Sequence, residues 1–235
     1  MIIWLASFPR SGNTFFRIAL NRLYSVPTYV VYDVDGVAAQ IGTEIMDARD
    51  RPADFAAMRA ADEVHFVKTH RRRDDPVIAD EDRAICLVRD GRDALVSWAR
   101  LWTAQHQGEP DYETRFAAEA RAMITRRTGG TGGWGQNVLS WHRSASPAPV
   151  WVRFDDLIAD PETSVRDAVA KAAPGLAPAS AAAIPTFGEL HDREPGFFRS
   201  GTTGAHRTEL PDDLHDLFWA QPDNAEAMRL NNYQR

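Results

Sequence analysis

The chain has 235 residues, 44% of them apolar, enough for one buried core, and its formal net charge of −6 excludes nucleic-acid binding driven by bulk positive charge. Its lone cysteine, Cys86, excludes an internal disulfide and fits a reducing compartment. No apolar run approaches the roughly 20 residues that span a bilayer, and Arg10 and Gly12 cut the first one too short for a leader; a cytoplasmic protein without membrane contact is expected.

In chain order, apolar runs predict strands at Ile2–Ser7, Glu63–Lys68, Arg83–Val88 and Pro149–Phe154. They are uniformly apolar rather than alternating, the pattern of central parallel strands covered on both faces. Apolar stripes at helical spacing predict helices over Asn13–Tyr24, Gly91–Trp102, Tyr112–Arg127 and Gly135–Ser144. A further helix starts at Pro161 behind the cap Asp160, another after Pro211, and a last near Pro222. The Ala/Pro-rich stretch Ala172–Pro185 reads either as a helix pair or as a loose connector, and Gly129–Gly133 as a hinge or lid. Strands alternating with helices give an α/β class: one doubly wound, mainly parallel sheet flanked by helices, in a single domain over 1–235.

The first strand runs through Ser7-Phe8-Pro9-Arg10-Ser11-Gly12 straight into a helix. Such a junction aims backbone N–H groups and a helix N-terminus at one point, where an anion can sit. Arg10, Ser11, Asn13 and Thr14 add a cation and polar side chains to the same turn. Aligned on Gly12 with a nucleoside-triphosphate loop, Ser7 replaces the first glycine and Asn13 the lysine, so this is an anion loop but a poor ATP loop.

Two further segments seek anions. In Val88-Arg89-Asp90-Gly91-Arg92-Asp93 to Ser97, Arg89 ends a strand at the carboxyl edge of the sheet, where it either grips a phosphate with Ser97 or joins a surface ion network; Arg92 and Asp93 read as that network. Phe198-Arg199-Ser200-Gly201-Thr202-Thr203-Gly204 is a basic, hydroxyl-rich loop able to wrap a phosphate, or simply an exposed loop. Between them, Lys68-Thr69-His70 places an ammonium and an imidazole at a strand end; the imidazole suits proton abstraction near neutral pH, but taken alone it reads first as an ordinary surface or core histidine. The following Arg71–Arg73 reads as a solvated basic run, and the other histidines show no metal-ligand spacing.

These segments together resemble the sulfotransferases that use 3′-phosphoadenosine 5′-phosphosulfate (PAPS). The family's Pro-Lys/Arg-Ser-Gly-Thr-Thr loop is matched by Pro9-Arg10-Ser11-Gly12-Asn13-Thr14, and its Lys-Thr-His by Lys68-Thr69-His70. Its Val-Arg-x-x-Arg-Asp…Ser element is matched from Val88 to Ser97, its Tyr-Glu-Asp-Leu by Phe154-Asp155-Asp156-Leu157, and its Arg-Lys-Gly-x-x-Gly by Arg199–Gly204. The matches fall in family order over residues 2–207.

The resemblance implies a P-loop-like fold and sulfuryl transfer to a hydroxyl of a small-molecule or natural-product acceptor, with no metal. Arg10, Ser11, Gly12, Asn13 and Thr14 would hold the 5′-phosphosulfate; Arg89, Ser97, Arg199, Ser200 and Gly201 the 3′-phosphate. Phe15, Phe154 and Phe187 would border the base, His70 would take the acceptor proton, and Lys68 and Arg10 would stabilise charge in the transfer. Ser200 in place of lysine, and Ala205-His206 in place of Asp-Trp, are departures in the late loop. A P-loop kinase and a non-catalytic nucleotide-binding protein stay as alternatives, and a homodimer is left open. For the acceptor pocket, Trp102, Phe116 and Trp134 are the candidates, with core packing the expected role of Trp102.

Overall fold

Every residue of Ile2–Ser7 is buried, and this run is β1, the middle strand of the sheet. A computed structural model describes residues 1–143, 147–179, 182–199 and 201–235. In order, its elements are β1, α1 (Asn13–Tyr24), β2 (Thr28–Val30), α2 (Gly36–Ile41), α3 (Phe55–Ala60), β3 (His65–Thr69), β4 (Arg83–Val88), α4 (Gly91–Thr103), α5 (Tyr112–Thr125) and α6 (Trp134–His142). There follow β5 (Val150–Arg153), α7 (Phe154–Ala159), α8 (Pro161–Ala172), α9 (Phe187–Arg193), α10 (His206–Glu209), α11 (Asp212–Trp219) and α12 (Pro222–Leu230).

The sheet order is β2-β3-β1-β4-β5, and every pairing is parallel. Alternate residues of β1 serve opposite faces, as the pleat requires. Ile3 and Leu5 pack with Phe16, Leu20 and Val165 of α1 and α8, whereas Ile2, Trp4 and Ala6 pack with Val67, Cys86 and Trp141. Beyond β4, helices α4, α5, α6, α11 and α12 close on Leu95, Phe116, Trp134, Phe218 and Met228. Central strands apolar along their whole length are thus covered on both sides, and the doubly wound expectation holds.

Several expectations are corrected. Phe154 does not end a strand; β5 stops at Arg153, and Phe154 opens α7. The strand Thr28–Val30 and the helices α2, α3, α9 and α10 were not foreseen, being too short to show a period. Residues 173–179 and 182–185 form no helix, so the connector reading of that stretch applies to them. Asp160 caps α8 as expected, its Oδ1 accepting the Thr163 N–H at 3.0 Å. Among the described residues no helix is long and apolar enough to cross a membrane.

Candidate active site

The order β3-β1-β4 brings the carboxyl ends of three strands together, where the chain reverses its direction of travel across the sheet. Ligands of doubly wound proteins bind at such an edge. Ser7 ends β1, Thr69 ends β3 and Val88 ends β4. The loops that follow them carry Arg10–Gly12, His70 and Arg89.

The first loop is shaped for an anion. Gly12 sits at the N-cap of α1 with φ 95°, no side chain caps the helix, and its first turn holds no acidic residue. The partial positive charge of the helix start is therefore left open. A Cβ on Gly12 would also lie 2.9 Å from the Phe154 ring, so both conformation and space require glycine. Arg10 adopts φ 66° without being glycine, a costly conformation that commonly marks functional loops. The Ser11 hydroxyl is buried with no hydrogen-bond partner among the described residues. Asn13 behaves differently from expectation: its amide nitrogen turns back to donate to the Leu5 carbonyl at 2.9 Å and to Ser7 Oγ at 3.2 Å. Through that nitrogen the side chain braces the loop against β1, while its Oδ1 has no hydrogen-bond partner among the described residues.

At the end of β3, His70 Nδ1 lies 2.9 Å from the Ser7 carbonyl oxygen and 3.2 Å from Ser7 Oγ. A carbonyl can only accept, so Nδ1 carries the proton and Nε2 is the bare nitrogen. Among the described residues Nε2 has no hydrogen-bond partner. The Tyr32 hydroxyl accepts the His70 backbone N–H at 2.7 Å, and Asn137 donates to the His70 carbonyl at 2.9 Å, so the residue is held from two sides. Burial, then the Lys68 charge, push the imidazole pKa down to about 3.

Lys68 is 4% exposed, and its Nζ lies 3.1 Å from Asp35 Oδ1. Asp35 caps α2, accepting the Val37 N–H, and its other oxygen is 2.8 Å from the fully buried Arg17 guanidinium. Burial lowers Lys68 to about 8, Asp35 opposing that fall. Burial alone would raise the Asp35 carboxyl, but Lys68 and Arg17 outweigh it and hold it at about 2.

A second cationic group stands on the β4 side. Arg10 Nε donates to Ser97 Oγ at 3.1 Å, and its Nη2 to the Phe197 carbonyl at 2.6 Å. Burial, then Arg89 and Arg199, lower the Arg10 guanidinium to about 10. Arg89 donates to the carbonyls of Arg10 (3.2 Å) and Thr202 (2.9 Å) and lies 4.3 Å above the Phe154 ring, and among the described residues its buried Nε has no partner. Arg199 is anchored by Glu209 at 2.6 Å. Ser97 is thus next to Arg10 and the Arg89 loop, as its place in the sequence suggested.

One cavity of about 430 Å³ joins both groups. Arg10, Gly12, Asn13, Thr14, Phe15, Lys68, His70, Arg89, Ser97, Phe154, Phe187, Arg199 and Gly201 all line it. Ser11 is buried and is not among the lining residues, and Ser200 falls outside the described residues. Phe15 and Phe187 meet edge to face at 5.4 Å between centroids. Gly201, with φ 61°, packs so closely on Phe187 that a Cβ would lie 2.4 Å from the ring.

A family model described as the sulfotransferase domain matches residues 2–170. The chain belongs to this family. Among solved structures, that of mouse sulfotransferase SULT7A1 complexed with PAP shares the fold at a TM-score of 0.62 and 16% identity, over 99% of this chain and 89% of that one. Retinol dehydratase in complex with androsterone and the inactive cofactor PAP follows at 0.56 and 14%, over 100% of this chain and 82% of that one. No match to a curated protein was found by sequence.

Within this sulfotransferase, Trp102 is 62% exposed rather than core, while Phe116 and Trp134 are buried among α4, α5, α6 and α11 and do not line the cavity. The apolar wall comes instead from Trp98 and Leu101 of α4, from Val37 of α2 and from Val34 just before it. Phe197 and Phe198, which sequence reasoning passed over, join Phe187 in the lining. Arg92 and Asp93 do not form a surface network. Arg92 pairs with Asp90 in a buried bridge of 2.7 Å. Asp93, 1% exposed, accepts the Gly204 N–H at 2.6 Å and the His206 N–H at 2.9 Å and lies 2.7 Å from His206 Nδ1. Arg71 and Arg72 are paired with Asp75 and Asp74, so the basic run is largely neutralised. The Arg72 N–H donates to the Gly130 carbonyl at 2.9 Å, tying the glycine-rich segment to that run and not to the cavity.

Proposed function

We propose that the chain transfers the sulfuryl group of PAPS to a hydroxyl of a small acceptor, with His70 as general base and residues 1–235 acting as one catalytic unit. The observation that carries this reading is the separation of charge within one cavity. Lys68 and His70 stand on one side of the open α1 N-terminus; Arg10, Arg89 and Arg199 stand on the other. A donor anionic at two distant positions, its 5′-phosphosulfate and its 3′-phosphate, suits two such groups; an ordinary triphosphate needs one. The open helix start and the buried Ser11 hydroxyl suit the 5′ end, and Arg89, Arg199 and Ser97 suit the 3′-phosphate. Phe15, Phe154, Phe187 and Gly201 suit a flat base.

In this reading the acceptor hydroxyl gives its proton to His70 Nε2 as its oxygen bonds to sulfur. The bond from sulfur to the 5′-phosphate oxygen breaks, and that oxygen leaves with the electron pair on 3′,5′-adenosine bisphosphate (PAP). Lys68 meets the charge shared by sulfuryl and leaving oxygens. Positioning and fixed positive charge carry most of such a transfer. Tyr32, Val34, Val37, Trp98 and Leu101 offer the acceptor body an apolar wall.

Thermal melts test the donor. PAP at ~100 times its Kd stabilises by roughly 2.7 kcal/mol, whereas magnesium-ATP should add little. A shift with ATP and none with PAP would favour a kinase and refute this reading. PAP binding without transfer to any hydroxyl in a broad acceptor panel would leave only a nucleotide-binding protein.

A further inference from the structure

A carboxylate has no obvious place in a cavity built for an anionic donor, yet Asp35 lines it. The sequence offers no sign of this: Tyr32-Asp33-Val34-Asp35-Gly36 reads as a polar turn. Its exposed neighbour Asp33 pairs at the surface with Arg51, as a loop aspartate commonly does. Asp35 instead is buried, with one oxygen on Arg17 and the other on Lys68. Arg17 is fully buried, its Nε donating to Thr28 Oγ1 at 2.9 Å, so this end of the bridge has nowhere else to go.

We infer that Asp35 is a positioning residue for sulfuryl transfer, its carboxylate bridging Arg17 and Lys68 so that the Lys68 ammonium is held at the cavity wall. The inference rests on the function proposed above. Two charges explain why the arrangement does not repel the donor. Arg17 neutralises Asp35 from behind, so the group of three carries a net charge of about +1 toward the cavity. A buried lysine without a counter-charge tends to lose its proton. The groups facing Lys68 are Asp35 at the start of α2, Arg17 from α1 and His70 at the end of β3; of these only Asp35 favours the ammonium. The bridge also fixes direction. A four-carbon stem has many rotamers, and one carboxylate oxygen 3.1 Å from Nζ selects among them.

The test compares wild type, D35N and D35E. PAP affinity is measured by calorimetry, initial rates with PAPS are taken across pH, and the Lys68 amine is titrated by competitive labelling with mass-spectrometric readout. For D35N we expect a lower Lys68 amine pKa, an alkaline limb of kcat/KM moved to lower pH, and kcat reduced roughly tenfold or more. PAP, which lacks the sulfuryl group, should bind within about threefold of wild type. D35E should keep the amine pKa near that of wild type but lower kcat, because one added methylene moves the carboxylate. A folded D35N with unchanged Lys68 titration and unchanged kcat overturns the inference, as does a loss of PAP affinity as large as the loss of rate. If D35N does not fold, a D35E protein with wild-type kcat overturns it. A wild-type protein that neither binds PAP nor transfers sulfuryl would refute the proposed function instead, while the labelling arm still decides whether Asp35 controls Lys68.

Discussion

The His70 imidazole lies 2.9 Å through Nδ1 from the backbone carbonyl of Ser7, the last residue of the neighbouring strand. A main-chain group of the sheet therefore sets the tautomer, and no acidic side chain is needed to leave Nε2 bare. The contact exists because β1 and β3 are adjacent and parallel, in register at Ala6 and Thr69. His70 follows that register by one residue and meets Ser7 across the gap.

Replacing His70 by asparagine is expected to lower kcat by roughly 10²–10⁴, the range of general-base catalysis, with PAP affinity changed only a few fold. Rapid-quench assays with labelled PAPS check the first and calorimetry the second. The same substitution should alter acid stability. The native imidazole titrates near 3 against 6.5 in the unfolded chain, so its contribution is complete above 6.5 and is lost as pH falls toward 3. Melting temperatures should thus fall less steeply in the variant than in wild type between about pH 6.5 and 4.

Arg89→Ala is expected to weaken PAP by roughly 1.5–3 kcal/mol, the worth of hydrogen bonds to a charged group, and to leave the 3′-dephospho nucleotide nearly unaffected. Calorimetry with both nucleotides makes the comparison. Equal losses would mean that Arg89 supports the loop through Arg10 and Thr202 without reading the 3′-phosphate.

Asp93→Ala removes the acceptor of two loop N–H groups and the partner of His206. Limited proteolysis should then cut within residues 201–206 faster than in wild type, and PAP should bind more weakly. Unchanged protection would show that the loop is held by Glu209 and Arg89 alone.

Two tryptophans separate packing from exposure. Trp134→Ala, at 1% exposure, should cost ~3–5 kcal/mol in denaturant unfolding. Trp102→Ser, at 62% exposure, should stay within about 0.5 kcal/mol of wild type.

Much of the scaffold was legible because it rests on local patterns. The uniformly apolar runs at Ile2–Ser7 and Arg83–Val88 became central parallel strands, and the stripe at Asn13–Tyr24 became a helix with those limits. Arg10, Lys68, His70, Arg89 and Arg199 stood out through strand ends, a glycine-rich turn and the resemblance to a family, and the structure brings all five to the lining of one cavity. Asp35, Tyr32 and Phe197 left no such mark. They come from short segments around β2, α2 and α9, whose form depends on what they pack against rather than on any period of their own.

By itself, then, the sequence determined the class of fold, the strand ends that meet at the cavity, and the positive character of the first loop. Only the tertiary structure decided what each charge does. It tied the Asn13 amide nitrogen to Leu5, set Arg10 beside Ser97, and placed Asp35 between Arg17 and Lys68. It also buried Asp93 under the late loop and left Trp102 outside. The reason is physical. Strands and helices follow from neighbours a few residues away, whereas the cost of burying a charge depends on its partners, and these lie 18 residues away for Arg17 and Asp35, 33 for Asp35 and Lys68, and 113 for Asp93 and His206.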